Sequence, residues 1–172
     1  MERKLKLEDI AGYLPYGLFT YVGTLNTEYS LLETVSKNFI VFHYKSNSGF
    51  ENTATIENIK PILRPLSDLY RPITHNEKEI VPIVELANMV RITNDKFYLE
   101  ENTNRCWSED RTFEFGFFSG MFWLVDADRT EIKHLSQYQL FDYLHELKID
   151  YRGLIESGLA IDCNTLDINP YK

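Results

Sequence analysis

From Ser136 to Asp162 the chain reads SQYQLFDYLHELKIDYRGLIESGLAID, and this stretch limits the fold more than any other. Leu140, Leu144 and Leu147 fall at i, i+4 and i+7, which places three leucines on one face of a helix. Phe141 and Tyr143 widen that stripe. Ser136 with Gln139 three residues later forms a capping-box pair, each side chain able to satisfy a donor left open at the helix start. Asp150 is a second N-cap candidate, Leu154 and Ile155 continue the apolar face, and Gly158 stands where a left-handed helix stop is wanted. The stretch predicts two helices in series whose apolar side needs a cover.

The strongest β pattern, Arg111 to Lys133, immediately precedes it. Phe113, Phe115 and Phe117 alternate with Thr112 and Glu114 before Ser119-Gly120 breaks the run. Met121 to Val125 is continuously apolar, Asp126 to Arg129 makes a turn, and Thr130 to Lys133 can pair back. Packing the helices on the apolar face of this meander buries both. The predicted fold is α+β, an antiparallel β meander packed by C-terminal helices in a single domain over residues 1–172.

The remaining segments follow the same rules. Leu5 to Leu14 predicts a short amphipathic helix stopped by Gly12 and Pro15. Tyr16 to Leu25 reads as a strand, and Asn38 to Tyr44, apolar on both faces, as an interior one. Lys45 to Glu51 is a polar turn. Pro61, Pro65, Pro72 and Pro82 argue against a long helix between Thr53 and Val90. A strand near Ala54 to Glu57, an irregular PILRPLSDLY connector, a hairpin tip at His75 to Lys78 and a short helix at Val84 to Met89 fit there. Asn94 to Asp110 reads as a loop holding one strand at Lys96 to Leu99.

Composition narrows the class. The 172 residues are 44% hydrophobic and 14% aromatic, enough for a real core, and the net charge of −8 opposes broad phosphate-backbone binding. Arg3, Lys4 and Lys6 form a small basic start, while acids predominate from Asp142 onward. No apolar run reaches the roughly 18 residues of a membrane helix, and the amino-terminal residues lack the apolar centre of a signal peptide. Cys106 and Cys163 form no spaced cluster and read as reduced thiols, so a cytoplasmic protein without membrane contact is expected.

Chemistry is harder to place. Asp126-Ala127-Asp128-Arg129-Thr130 follows an apolar strand, as the D-x-D-x-T signature of haloacid-dehalogenase phosphotransferases does; there the first carboxylate attacks phosphorus. The residues after Thr130 read as two helices and a tail, which cannot complete the further βα units of that fold, so a polar turn is the better reading. None of His43, His75, His134 and His145 has a His or Cys at i+3 or i+4, and His145-Glu146 lacks the partner of a zinc-protease helix. Cys106 beside Trp107 reads as a small apolar residue. Glycine-rich phosphate loops and a G-x-S-x-G elbow are absent.

The aromatic group Phe113, Phe115, Phe117, Phe118, Phe122 and Trp123 would suit base stacking. Glu109, Asp110, Glu114, Asp126 and Asp128 surround the nearby Arg111, however, and favour core packing instead. The residues therefore assign no catalytic, cofactor-binding or metal-ligating site.

Three stretches, LEDIAGYLPYGL, IKPILRPLSDL and QLFDYLHELKIDYRGLIESGLAID, occur in the order found in a group of small uncharacterised proteins encoded in phages and prophages of gut bacteria, which this chain resembles. The resemblance implies a genomic setting and carries no activity or site residues with it. The acidic, motif-poor, aromatic-rich composition, set in that genomic context, suits a non-enzymatic accessory protein acting through protein contacts, with the Ile59 to Pro72 connector and the exposed face of the terminal helices as its contact surfaces. A nucleic-acid-associated protein using the aromatic strands is the alternative, and a carboxylate-dependent phosphohydrolase with Asp126 and Asp128 the third reading. Oligomeric state is left open.

Overall fold

The computed structural model describes residues 3–22, 29–35, 40–43, 51–90, 96–101, 103–129, 132–133 and 135–172. In chain order the elements are α1 (Leu7–Ile10), a 3-10 turn (Ala11–Tyr16), β1 (Phe19–Val22), β2 (Tyr29–Val35), β3 (Ile40–His43), β4 (Glu51–Ala54), a 3-10 turn (Ile56–Asn58) and β5 (Ile59–Leu63). A 3-10 turn (Leu66–Tyr70), β6 (Ile73–His75), β7 (Lys78–Ile80), α2 (Pro82–Val90), β8 (Phe97–Leu99) and β9 (Cys106–Ser108) follow. The chain ends with β10 (Phe113–Phe118), β11 (Met121–Asp126), β12 (Ile132–Lys133), α3 (Gln137–Glu146), β13 (Ile161–Asp162) and a last 3-10 turn (Cys163–Thr165). The class is α+β, as the periodicities predict. Contacts gather into two compact units, Met1–Pro65 with Lys148–Tyr171, and Leu66–Leu147 with Lys172.

The first unit holds a sheet of order β13-β5-β1-β2-β3-β4, antiparallel except that β13 runs parallel to β5. β3 lies between β2 and β4, the interior place its apolar run predicts. Ile10, Tyr13, Leu18, Val22, Leu63 and Leu154 form its core. The expected Leu5 to Leu14 helix is only Leu7–Ile10 in α geometry. A proline ring clashes with the carbonyl four residues earlier, here that of Ala11, and the chain tightens to 3-10 from that residue until Gly17, at φ +72°. The Pro61 to Tyr70 connector is not irregular either. It forms the end of β5 and a 3-10 turn, with Pro61 tolerated near the sheet edge opposite Thr20.

The second of the two C-terminal helices does not form. The buried Asp150 carboxylate accepts from Arg152 N–H (3.3 Å), Leu154 N–H (3.0 Å) and Ile155 N–H (2.7 Å), gathering the backbone into turns around itself. Lys148 (φ +61°) and Gly153 (φ +69°) break helical geometry on either side. Gly158 does adopt the left-handed conformation, at φ +72°.

The second unit holds the antiparallel sheet β12-β11-β10-β9-β8 and the hairpin β6–β7, whose tip at Asn76 and Glu77 has positive φ at both residues. α2 opens on Pro82, which needs no partner for a missing N–H in the first turn, and so begins two residues before the predicted start. β9 occupies part of the segment expected to be a loop. The leucine stripe holds: Leu140, Leu144 and Leu147 are all buried. Its cap differs from expectation, because Ser136 makes no side-chain capping bond. Gln137 matters more. Its Oε1 accepts from Phe122 N–H and its Nε2 donates to Phe122 C=O, both at 2.9 Å, so one side chain pairs with β11 beyond the reach of the two-residue β12. Phe117 and Phe122 meet Phe141 of α3 at ring-centroid distances of 6.2 and 5.6 Å. No helix among the described residues is long and apolar enough to cross a membrane.

Candidate contact face

Strand alternation gives the five-stranded sheet two different faces. Phe115 pairs with Leu124 and Cys106, and Phe117 with Phe122, so these side chains share the face that meets the helices. Phe115 and Phe122 are buried and stacked at 5.7 Å. Core packing, the fate the sequence predicts for the aromatic group, holds for these two, whereas Phe118 is exposed and Trp123 lies on the other face.

The opposite face carries Tyr98 beside Trp107, Trp107 beside Glu114, Glu114 beside Val125, Trp123 beside Gly116, and Phe118 beside Met121. Gly116 is required there. A Cβ at that position would come within 2.5 Å of the Trp123 ring, so the indole lies against bare backbone. Phe118 and Met121, at the tip of the β10–β11 hairpin, are 74% and 58% exposed.

The charges on this face are arranged around one buried carboxylate. Glu114 is 3% exposed; Arg105 Nε approaches its Oε1 at 3.6 Å and Arg129 Nη2 its Oε2 at 3.3 Å. Both arginine side chains contact the acid while staying more than half exposed. Arg111 sits over the Tyr98 and Trp107 rings at 5.4 and 5.6 Å, held by Glu100 at 2.8 Å. That ion pair holds the Glu100 carboxyl below its usual range, with the hydrogen bond from Arg111 as the main cause. Asp110 is taken up by its own turn, accepting from Ser108 Oγ, Thr112 N–H and Thr112 Oγ1. Of the acids read from sequence as repelling a ligand here, Glu114 is buried between cations and Asp110 is spent locally.

The other candidate residues scatter. Asp126 ends β11 opposite Phe113, its carbonyl accepts from Arg129 N–H at 2.9 Å, and exposed Asp128 lies in the intervening turn. An antiparallel meander with a polar turn is what this arrangement amounts to; Thr130 lies outside the described residues. His75 Nε2 is 3.0 Å from the Glu146 carboxylate, and His145 is half-buried on α3. The side chain of His43, all of His134, and most of the expected Lys45 to Glu51 turn lie outside the described residues. Among the described residues no group of histidine, cysteine and acidic side chains is placed to hold a metal ion. Cys106 is buried, and burial pushes its thiol from 9.0 up to about 12, far from nucleophilic range at neutral pH.

Sequence reasoning does not single out Tyr98, Trp107, Arg105 and Arg129. Of the four only Trp107 lies within β9 to β11, whose aromatic residues fall on both parities; Tyr98 is in β8, and the two arginines lie just outside the strands. No protein-family model, curated protein or solved structure matches the chain.

Proposed function

We propose that the protein is a non-enzymatic contact module, working in the cytoplasm in the phage or prophage setting its resemblance implies, and that it binds a protein partner through the outer face of β8–β11. The observation that carries this reading is the composition of that face. Tryptophan, tyrosine and arginine dominate protein-interface hot spots, and methionine and phenylalanine are enriched with them. Tyr98, Trp107, Trp123 and three arginines share one side of the sheet, next to a hairpin tip where Phe118 and Met121 face solvent. The test is affinity purification of the wild-type chain beside a Phe118→Asp, Met121→Asp variant of equal melting temperature. A stoichiometric protein retained by the first and lost by the second is expected; equal recovery counts against the face.

One observation favours a second reading, single-stranded nucleic acid stacked on the same side: Arg111 lies over two rings. The net charge of −8 opposes it. Both tryptophans lie on this face, so unquenched fluorescence on titration with oligonucleotides at low salt removes this alternative.

A further inference from the structure

The first unit carries a groove lined by residues other than those of the contact face. β13 pairs only with Ile62 and Leu63, so among the described residues no strand flanks the first half of β5 on that side. The segment before β13 cannot close the gap, because the Leu159 and Ala160 amides are tied to the Leu154 carbonyl at 2.8 and 3.1 Å. A groove of about 740 Å³ results, within the size range of ligand sites.

Its floor is apolar: Leu5 and Ile59 are buried, and Leu159 and Ile161 half-buried. Its rim is cationic. Arg3 and Lys4 come from the amino-terminal segment and Lys60 from β5, all exposed, against one lining carboxylate, Glu57. Glu57 pairs with Lys4 at 3.1 Å, and Arg3 is oriented by the buried Asp9 at 2.8 Å. Lys60 has no ion-pair partner among the described residues. In a chain of net charge −8 this is a local reversal of sign.

We propose that the groove binds an extended segment of a partner protein in which acidic and apolar side chains alternate. Alternation sends every second side chain to the same side of an extended chain, so leucine-like groups reach the floor while carboxylates reach the cations on the rim. Cations from two separate segments suit a ligand with several carboxylates better than an amphiphile with one. The open groove beside a strand suits an extended backbone.

Fluorescence anisotropy with a labelled peptide of alternating glutamate and leucine tests this on the full chain, with its lysine–leucine counterpart and dodecanoate as comparisons. The glutamate–leucine peptide is expected to bind. Lys60→Glu should weaken it and flatten its salt dependence, since a rim charge acts chiefly on the association rate and its sensitivity to salt, while Lys60→Arg retains it and Phe118→Asp leaves it unchanged. Should Lys60→Glu disturb folding by circular dichroism, Lys4→Glu serves in its place. Equal binding of the lysine–leucine peptide, binding of dodecanoate alone, or no binding at all each overturns the proposal. None of these outcomes bears on the β8–β11 face, which the Phe118→Asp, Met121→Asp variant tests separately.

Discussion

The Tyr171 hydroxyl donates to the Ile62 carbonyl at 2.7 Å and accepts from Phe19 N–H at 3.2 Å, so a side chain from the far end of the sequence bridges β5 and β1. The rest of the residue is held equally well. Its ring meets Phe19 edge-on at 5.6 Å, the Lys148 ammonium lies 5.6 Å from the ring centroid, and Arg64 Nη2 donates to its backbone carbonyl at 2.9 Å. Burial pushes the phenol well above its usual range.

Tyr171→Phe keeps the ring and removes the bridge, leaving a backbone donor and an acceptor without their partner. Loss of about 1–3 kcal/mol is expected from such a deletion, measured as a shift of the urea midpoint at unchanged slope. An unchanged midpoint would show that water replaces the hydroxyl without cost.

Leu144→Ala removes the fully buried centre of the α3 stripe. A cost of about 2–5 kcal/mol is expected, the range for a large-to-small change in a core that relaxes only in part. Tyr138→Ala, at the 79% exposed position of the same helix, is the control and should leave the melting temperature nearly unmoved.

Gly116→Ala forces a methyl group against the Trp123 ring. The expected cost is about 1–3 kcal/mol, as for overpacking, accompanied by a change in near-ultraviolet circular dichroism as the indole moves. A folded variant with an identical spectrum would place Trp123 elsewhere.

Alkaline pH should destabilise the protein. Cys106 goes from 9.0 to about 12 and Tyr143 from 10.0 to about 12, each chiefly through burial, with Glu85 and Glu146 adding to the effect on Tyr143. Both groups ionise more easily in the unfolded chain. They contribute no pH dependence below about pH 9, and stability falls as pH rises from there toward about 12. Unfolding midpoints across that window check the sign, and Cys106→Ala should flatten the lower part of the slope.

Gln137→Ala opens the Phe122 N–H and C=O on β11. Destabilisation of about 1–3 kcal/mol is expected. Faster amide exchange at Phe122 distinguishes loss of this pairing from a general loosening of α3.

Part of this fold is legible in local periodicity alone. The leucine stripe of α3 and its C-cap, the hairpin tip within His75 to Lys78, and the alternation in β10 all depend on residues close in sequence, and each appears where it is predicted. Pairings across long separations are not legible in that way. Nothing local marks Tyr171 as the bridge to Ile62 or Gln137 as the partner of Phe122.

The candidate face shows the same division. A period of two states that β10 and β11 have two sides, but both sides carry aromatic residues, so periodicity cannot say which one the helices cover. Tertiary packing decided that by setting Phe141 against Phe117 and Phe122, leaving the two tryptophans and the Arg105–Glu114–Arg129 group on the other side. The chain's own order determined which elements form, because that depends on neighbours a few residues away. Which face the helices cover depended on contacts between separate elements, and those exist only once the sheet and helix have packed.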